Sequence, residues 1–190
     1  MPPLLPASVA LGANRLDITT PIRGAVWSRS NPKLEPDQTQ WVSFVFDTVN
    51  LYQRNPNAHL WVMLDGQVKA ETDTSLVLNG RGIAIGDTEK VSGCTSVAFE
   101  HFGGRTGMAN EHPGGCANDL ELEDNIKYKI TVHASKTWVA YWIWRCGELA
   151  ARSSTFMPDI LDQQSSIALG VAFDDEESRY TISDLTWGTF

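Results

Sequence analysis

The chain has 190 residues, 42% hydrophobic and 20% charged, which suits one soluble domain with a sizeable core. Its net charge of −8 and pI of about 4.9 speak against a nucleic-acid backbone or an anionic membrane surface as the main partner. No apolar run approaches the roughly 20 residues that span a bilayer, so membrane insertion is not expected.

The N-terminal stretch MPPLLPASVALGAN is apolar and carries Pro2, Pro3 and Pro6. Proline favours extended backbone, so residues 1–14 read as a Pro-rich arm, either frayed or docked on a neighbouring subunit. The stretch lacks a basic n-region and an uninterrupted h-region, and no signal peptide is expected.

From residue 15 onward the apolar segments are short and alternating. In chain order, the predicted strands are 15–19, 24–29, 41–47, 59–64, 74–78, 82–86, 95–102, 126–134, 137–145, 148–154, 166–173 and 179–187. Turn signals stand at Asp65-Gly66, Asn79-Gly80 and Cys146-Gly147. Only MPDILDQQ (157–164) suggests a helical turn, with Pro158 at a first helical position. About twelve strands without a linker predict a single all-β domain over 15–190, an antiparallel two-sheet jelly-roll sandwich. The longest irregular piece is 103–119.

The stretch DLELEDN (119–125) alternates Asp119, Glu121 and Glu123 with Leu120 and Leu122, and alternate residues of a strand share a face. Glycosidases need two carboxyls either roughly 5–5.5 Å or about 6.5–9.5 Å apart, and strand neighbours i and i+2 are about 6.6 Å apart. Glu121 and Glu123 are therefore the catalytic pair if the chain is an enzyme. The stretch resembles the acidic strand of laminarinase-type β-glucanases superficially, but Asp119 and Glu121 stand where that pattern has Glu and Asp. The wider context, a leader, a tight turn at Asp124-Asn125, a Tyr-containing strand, a short turn and a second strand ending in Gly147, is similar to a hairpin of lectin-like and laminin G-like members of the concanavalin A-like group. Residues 166–190 resemble the closing strand pair of that group. The resemblance covers roughly residues 119–190. It implies a concanavalin A-like sandwich, with the acids of 119–123 in a solvent-facing leader.

TWVAYWIWR (137–145) puts Trp138, Trp142 and Trp144 on one face with Ala140, and Val139, Tyr141 and Ile143 on the other. The preceding strand separates Ile126, Tyr128, Ile130 and Val132 from Lys127, Lys129, Thr131 and His133. A two-residue turn at Ser135-Lys136, the commonest hairpin length, places Val132 opposite Val139 and Ile130 opposite Tyr141 as core. It places Lys129 opposite Trp142, Lys127 opposite Trp144 and His133 opposite Trp138 as an indole platform ringed by donors, suited to stacking sugars. A three-residue loop instead sends the tryptophans into the core, where tryptophan is commonly found. Ser-Lys is a poor type I′ turn, so the turn itself leaves both open.

Cys94, Cys116 and Cys146 are an odd set, so at least one thiol is unpaired within the chain. Cys94 and Cys116 flank a Gly-rich segment and are the disulfide candidates. With His101 and His112 they would make a zinc set, but the spacing matches no common finger. Asp174, Asp175 and Asp184 are candidates for a structural calcium, with a solvated turn the simpler reading. No other cofactor is expected. Nucleophile-elbow, P-loop, dinucleotide and zinc-protease motifs are absent, as is an Asn-x-Ser/Thr sequon.

These patterns lead to one expectation and two alternatives. The expectation is a non-catalytic, lectin-like module binding a glycan or polysaccharide, at an extracellular or virion surface, as in adhesion. The first alternative is a structural subunit of a virion, a phage tail or capsid decoration protein, meeting homo-oligomer or particle neighbours through residues 1–14. The second is a polysaccharide hydrolase on Glu121 and Glu123, or a lyase drawing on His101, His133 and Tyr141.

Overall fold

The computed structural model describes residues 10–12, 15–19, 24–31, 34–51, 58–72, 75–86, 97–105, 109–111, 116–118, 120, 122–158, 165–172 and 179–190. The elements described over their full length are strands: β1 (Ala10–Gly12), β2 (Arg15–Thr19), β3 (Gly24–Asn31), β4 (Gln40–Thr48), β5 (His59–Thr72), β6 (Ser75–Gly86) and β7 (Val97–Arg105). They continue as β8 (Ala109–Glu111), β9 (Cys116–Asn118), β10 (Lys127–Ala134), β11 (Trp138–Arg145), β12 (Glu148–Phe156), β13 (Ser165–Ala172) and β14 (Arg179–Thr189). They form two antiparallel sheets. The front sheet runs β1-β2-β14-β4-β10-β11-β12, and the back sheet runs β3-β13-β5-β6-β7-β8 with β9 also on β7. The predicted all-β two-sheet sandwich is thus observed.

The core lies between the sheets and follows the period-two pattern of the sequence. In β4, Val42, Phe44 and Phe46 are buried while Trp41, Ser43, Val45 and Asp47 on the other face are half-buried. Tyr128, Ile130 and Val132 of β10 and Val139, Tyr141 and Ile143 of β11 join them, against Leu60, Val62, Ile83, Ile85 and Phe99 of the back sheet. Two ring contacts show the packing. Phe99 meets Tyr141 across the sandwich at 5.4 Å, and Phe46 meets Tyr180 within the front sheet at 5.6 Å.

The predicted turns at Asp65-Gly66 and Asn79-Gly80 do not reverse the chain. Both lie inside the long β5–β6 hairpin, where a bulge shifts the register between Leu64 and Gln67. A Cβ on Gly80 would come within 2.6 Å of the Gly66 Cα, and one on Gly66 would strike the Met63 side chain. These glycines permit close approach at a bulge rather than a turn. Cys146-Gly147 does turn the chain, with φ of 51° and 89°. The irregular piece 103–119 contains two short strands, β8 and β9, that sequence pattern did not reveal. Of residues 1–14, read as an arm, Ala10–Gly12 form β1 against β2, and residues 1–9, 13 and 14 lie outside the described residues. Residues 159–164 of the expected helical turn also lie outside them.

The acidic leader is anchored as a turn. Leu120 and Leu122 are buried and Glu123 is exposed. The Tyr128 hydroxyl accepts the Glu123 N–H at 3.0 Å, and the Thr48 hydroxyl donates to the Glu123 carbonyl at 2.6 Å. Asn125, at φ 61°, donates its N–H to the Thr48 carbonyl at 2.6 Å. Two leucines, a tyrosine and a left-handed asparagine thus steer the chain into β10.

Candidate functional site: the outer face of the front sheet

The β10–β11 loop has two residues, but they are Lys136-Thr137 rather than Ser135-Lys136. The Ser135 N–H donates to the Trp138 carbonyl at 3.0 Å, and the Ser135 Oγ accepts from the N–H groups of Thr137 and Trp138 at 3.3 Å. The serine hydroxyl holds the loop by local backbone capture, which explains how a poor type I′ sequence turns here. The register is shifted by two from the expected one: Val132 pairs with Tyr141, Ile130 with Ile143, Thr131 with Trp142, Lys129 with Trp144 and His133 with Ala140. A shift of two preserves the facing of the two-residue alternative, with the tryptophans outside the core, while each partner expected there changes. Trp138, Trp142 and Trp144 lie on the outer face, half-buried, with Lys127, Lys129, Thr131 and His133.

Five neighbouring strands, β14, β4, β10, β11 and β12, order this face into rows. One row runs Gly188, Trp41, His133, Ala140, Ser154. The next runs Thr186, Ser43, Thr131, Trp142, Arg152, and a third Ser183, Val45, Lys129, Trp144, Leu149. The His133 ring sits 4.8 Å from Trp142 and 5.6 Å from Phe190. The Lys129 Nζ lies 5.6 Å from the Trp144 ring centre, a cation–π arrangement. The Ser43 and Thr131 hydroxyls share a hydrogen bond of 2.8 Å, and the Thr186 hydroxyl donates to the Ser43 carbonyl at 3.4 Å. Lys127 pairs with Asp47 at 3.7 Å.

Three aromatic residues of this face went unnoticed in the sequence. Trp41 alternates with core residues of β4, a signal that was available; its indole lies against Gly188, where a Cβ would come within 3.1 Å of Nε1. Phe156, 73% exposed and paired with Trp138, and Phe190, 68% exposed, complete the set. Their placement depends on strand pairing across the sheet, which local pattern does not reveal. Burial holds His133 below its ordinary pKa, because the half-covered ring is poorly hydrated when charged.

The other candidates are not brought together. Glu123 is exposed and pairs with Arg145 at 2.7 Å, and Glu121 lies outside the described residues. Tyr141 is buried in the core while His133 faces outward, so the two cannot act as a lyase pair: neighbouring strand positions send side chains to opposite faces. Cys94, His112, Asp174 and Asp175 lie outside the described residues, and of Cys116 and His101 only the strand positions are described. Cys146 is free and exposed. Asp184 sits exposed at a bulge of β14 with φ 52°. Among the described residues no three His, Cys, Asp or Glu side chains gather as a metal site, so Asp184 has no calcium partners there.

No protein-family model and no curated protein matches the sequence. Solved structures do match in fold. A seed lectin of Lotus tetragonolobus superposes with a TM-score of 0.60 at 11% identity, over 97% of this chain and 90% of that one. Lectin II from Ulex europaeus gives 0.61 at 7% identity over the same shares. The carbohydrate recognition domain of Emp46p, in a potassium-bound form, gives 0.55 at 9%, over 95% and 85%. The chain has the concanavalin A-like jelly-roll fold of legume lectins, over nearly its whole length rather than the 119–190 of the sequence resemblance.

Proposed function

We propose that the chain is a non-catalytic glycan-binding module whose ligand lies on the outer face of the front sheet, along β11. The observation that carries this is the outward row of Trp138, Trp142 and Trp144 beside hydroxyl and amine donors. Pyranose rings present apolar C–H faces to indoles and hydroxyls to polar neighbours, and this face supplies both. The similar structures are lectins and a carbohydrate recognition domain, which supports the same class of ligand. An extracellular or virion-surface setting, in adhesion, is the finer part of the proposal and rests on composition.

A glycan array with the purified chain tests it. Wild type should bind, and Trp142→Ala should weaken binding about tenfold or more, as truncating a central aromatic anchor does. Its circular dichroism should be unchanged, since Trp142 stands outside the core. No binding to any glycan, or an unfolded Trp142→Ala together with an unaffected Trp144→Ala, would sink the proposal. Cleavage of a bound polysaccharide that is lost in Glu123→Gln would replace it with the hydrolase.

A further inference from the structure

His133 lies among the rings of the aromatic face. Trp142 is 4.8 Å away, tilted by 58°, and Phe190 is 5.6 Å away, nearly edge-on at 70°. Trp41 is its partner on β4. The Trp41 indole rests on Gly188, where a Cβ would meet three of its atoms at 3.1, 3.3 and 3.3 Å. Phe190 is held by a reciprocal pair of backbone bonds: its N–H donates to the Thr39 carbonyl at 3.1 Å, and its carbonyl accepts the Thr39 N–H at 2.8 Å. Strand pairing thus sets these rings around an imidazole that is itself half-buried.

The hydroxyls of the next row are spent within the sheet. Ser43 and Thr131 bond each other, and Thr186 donates to the Ser43 carbonyl. The ring nitrogens of His133 make no hydrogen bond among the described residues. A neutral imidazole has a donor on one nitrogen and an acceptor on the other. Neighbouring hydroxyls of a pyranose can use both, while its C–H faces suit the aromatic rings alongside.

Formal charge stands at the margins. Lys129, two residues along β10, has its ammonium over Trp144, and Lys127 pairs with Asp47 two residues further on. Arg152 on β12 has a partner of its own, and Asp184 sits at the β14 bulge. Lys136 belongs to the β10–β11 loop and Asp37 to the turn ahead of β4. Burial holds the imidazole neutral to below its ordinary pKa, and no neighbouring charge contributes to that shift. Surroundings that resist a proton also resist a bare carboxylate, so an uncharged ligand suits them.

We propose, resting on the glycan-binding reading above, that His133 is the polar centre of the sugar site, its neutral imidazole hydrogen-bonding the hydroxyls of an uncharged glycan stacked on the rings around it. A proton on the imidazole removes the acceptor and brings an unpaired charge under the sugar. Binding is therefore present above the folded-state pKa of His133 and is lost as pH falls through it.

The test is titration of the full chain, followed by tryptophan fluorescence, with cello-, manno- and galacto-oligosaccharides, and with oligogalacturonides as the charged arm. At about pH 8, His133→Phe keeps a ring but loses donor and acceptor, and should bind the neutral saccharide about tenfold more weakly. His133→Gln, whose amide keeps both, should stay within about threefold of wild type. Below the His133 pKa, read from its imidazole NMR signals, wild-type affinity should fall by up to about tenfold per pH unit, while His133→Gln does not follow; circular dichroism at each pH confirms the fold. Saturating saccharide should lower that pKa further, because sugar and proton compete. Equal binding by wild type and His133→Phe, affinity that is constant or rises on acidification, or preference for the oligogalacturonides overturns the inference and leaves the glycan-binding reading standing. Equal loss in His133→Phe and His133→Gln, both folded, overturns it in favour of a packing role. Binding of none of these saccharides overturns it too, and the array then decides the broader reading by itself.

Discussion

Two single residues show how burial acts on a titratable group. Tyr180 is fully buried against Phe46, its hydroxyl has no hydrogen-bond partner among the described residues, and burial pushes its pKa far above the usual phenol range. An unpaired buried hydroxyl is a cost to the fold, so Tyr180→Phe should be neutral or stabilising by up to about 1 kcal/mol in urea unfolding. A loss of stability would mean the hydroxyl is satisfied. His133 is half-buried between Trp142 and Phe190, with its pKa held below 6.5. As pH falls through 6.5 the unfolded chain takes up the proton while the fold still resists it. The stability present with the neutral imidazole is therefore lost progressively as pH drops from 6.5 toward the lower folded pKa. Unfolding compared between about pH 7 and pH 5 should fall less steeply in His133→Gln than in wild type.

At the scale of elements, close backbone approach decides what a glycine is for. Gly147 sits at φ 89° with nothing near its missing Cβ, so Gly147→Ala costs only the left-handed conformation, about 1 kcal/mol. Gly82, inside β6, has no such φ, but a Cβ there would collide with the Val62 carbonyl oxygen. Gly82→Ala should therefore cost roughly 3 kcal/mol or more, or prevent folding, because a β5–β6 ladder cannot spread locally. Chemical denaturation of both variants separates the cases; equal effects would mean β6 accommodates a methyl group. The β10–β11 hairpin teaches a related lesson. Its loop moved by one residue and its pairing by two, and every tryptophan kept its face because facing depends only on parity.

Across the whole molecule, the two sheets are tied at one end by a buried cation. Arg81 of β6 is fully buried, and its guanidinium donates to the carbonyls of Ser135, at the β10–β11 loop, and Met157, just past β12. The Met157 N–H in turn donates to the Thr137 carbonyl at 2.9 Å, joining the loop to the end of β12. A back-sheet residue thus fixes the end of the hairpin that carries the tryptophans. Arg81→Met should cost about 3–5 kcal/mol, since it removes the buried guanidinium that these two carbonyls accept from. A loss below about 1 kcal/mol would show that the carbonyls find water instead.

The sequence alone determined the class of the fold and which side chains of a strand share a face, while which face of the tryptophan hairpin is buried was left to the pairing. Alternation in WVSFVFD, KYKITVH and TWVAYWIWR marks which side chains share a face. These are local facts, fixed by the period of an extended backbone. Tertiary structure decided everything that depends on which strands meet. It brought Trp41, Phe156 and Phe190 to the tryptophan face, parted His133 from Tyr141, put Gly66 against Gly80 in mid-hairpin and buried Arg81 beneath a loop 54 residues away. Parity is written in one strand; neighbours are chosen by the closure of the whole sandwich, whose long-range pairings no single segment encodes.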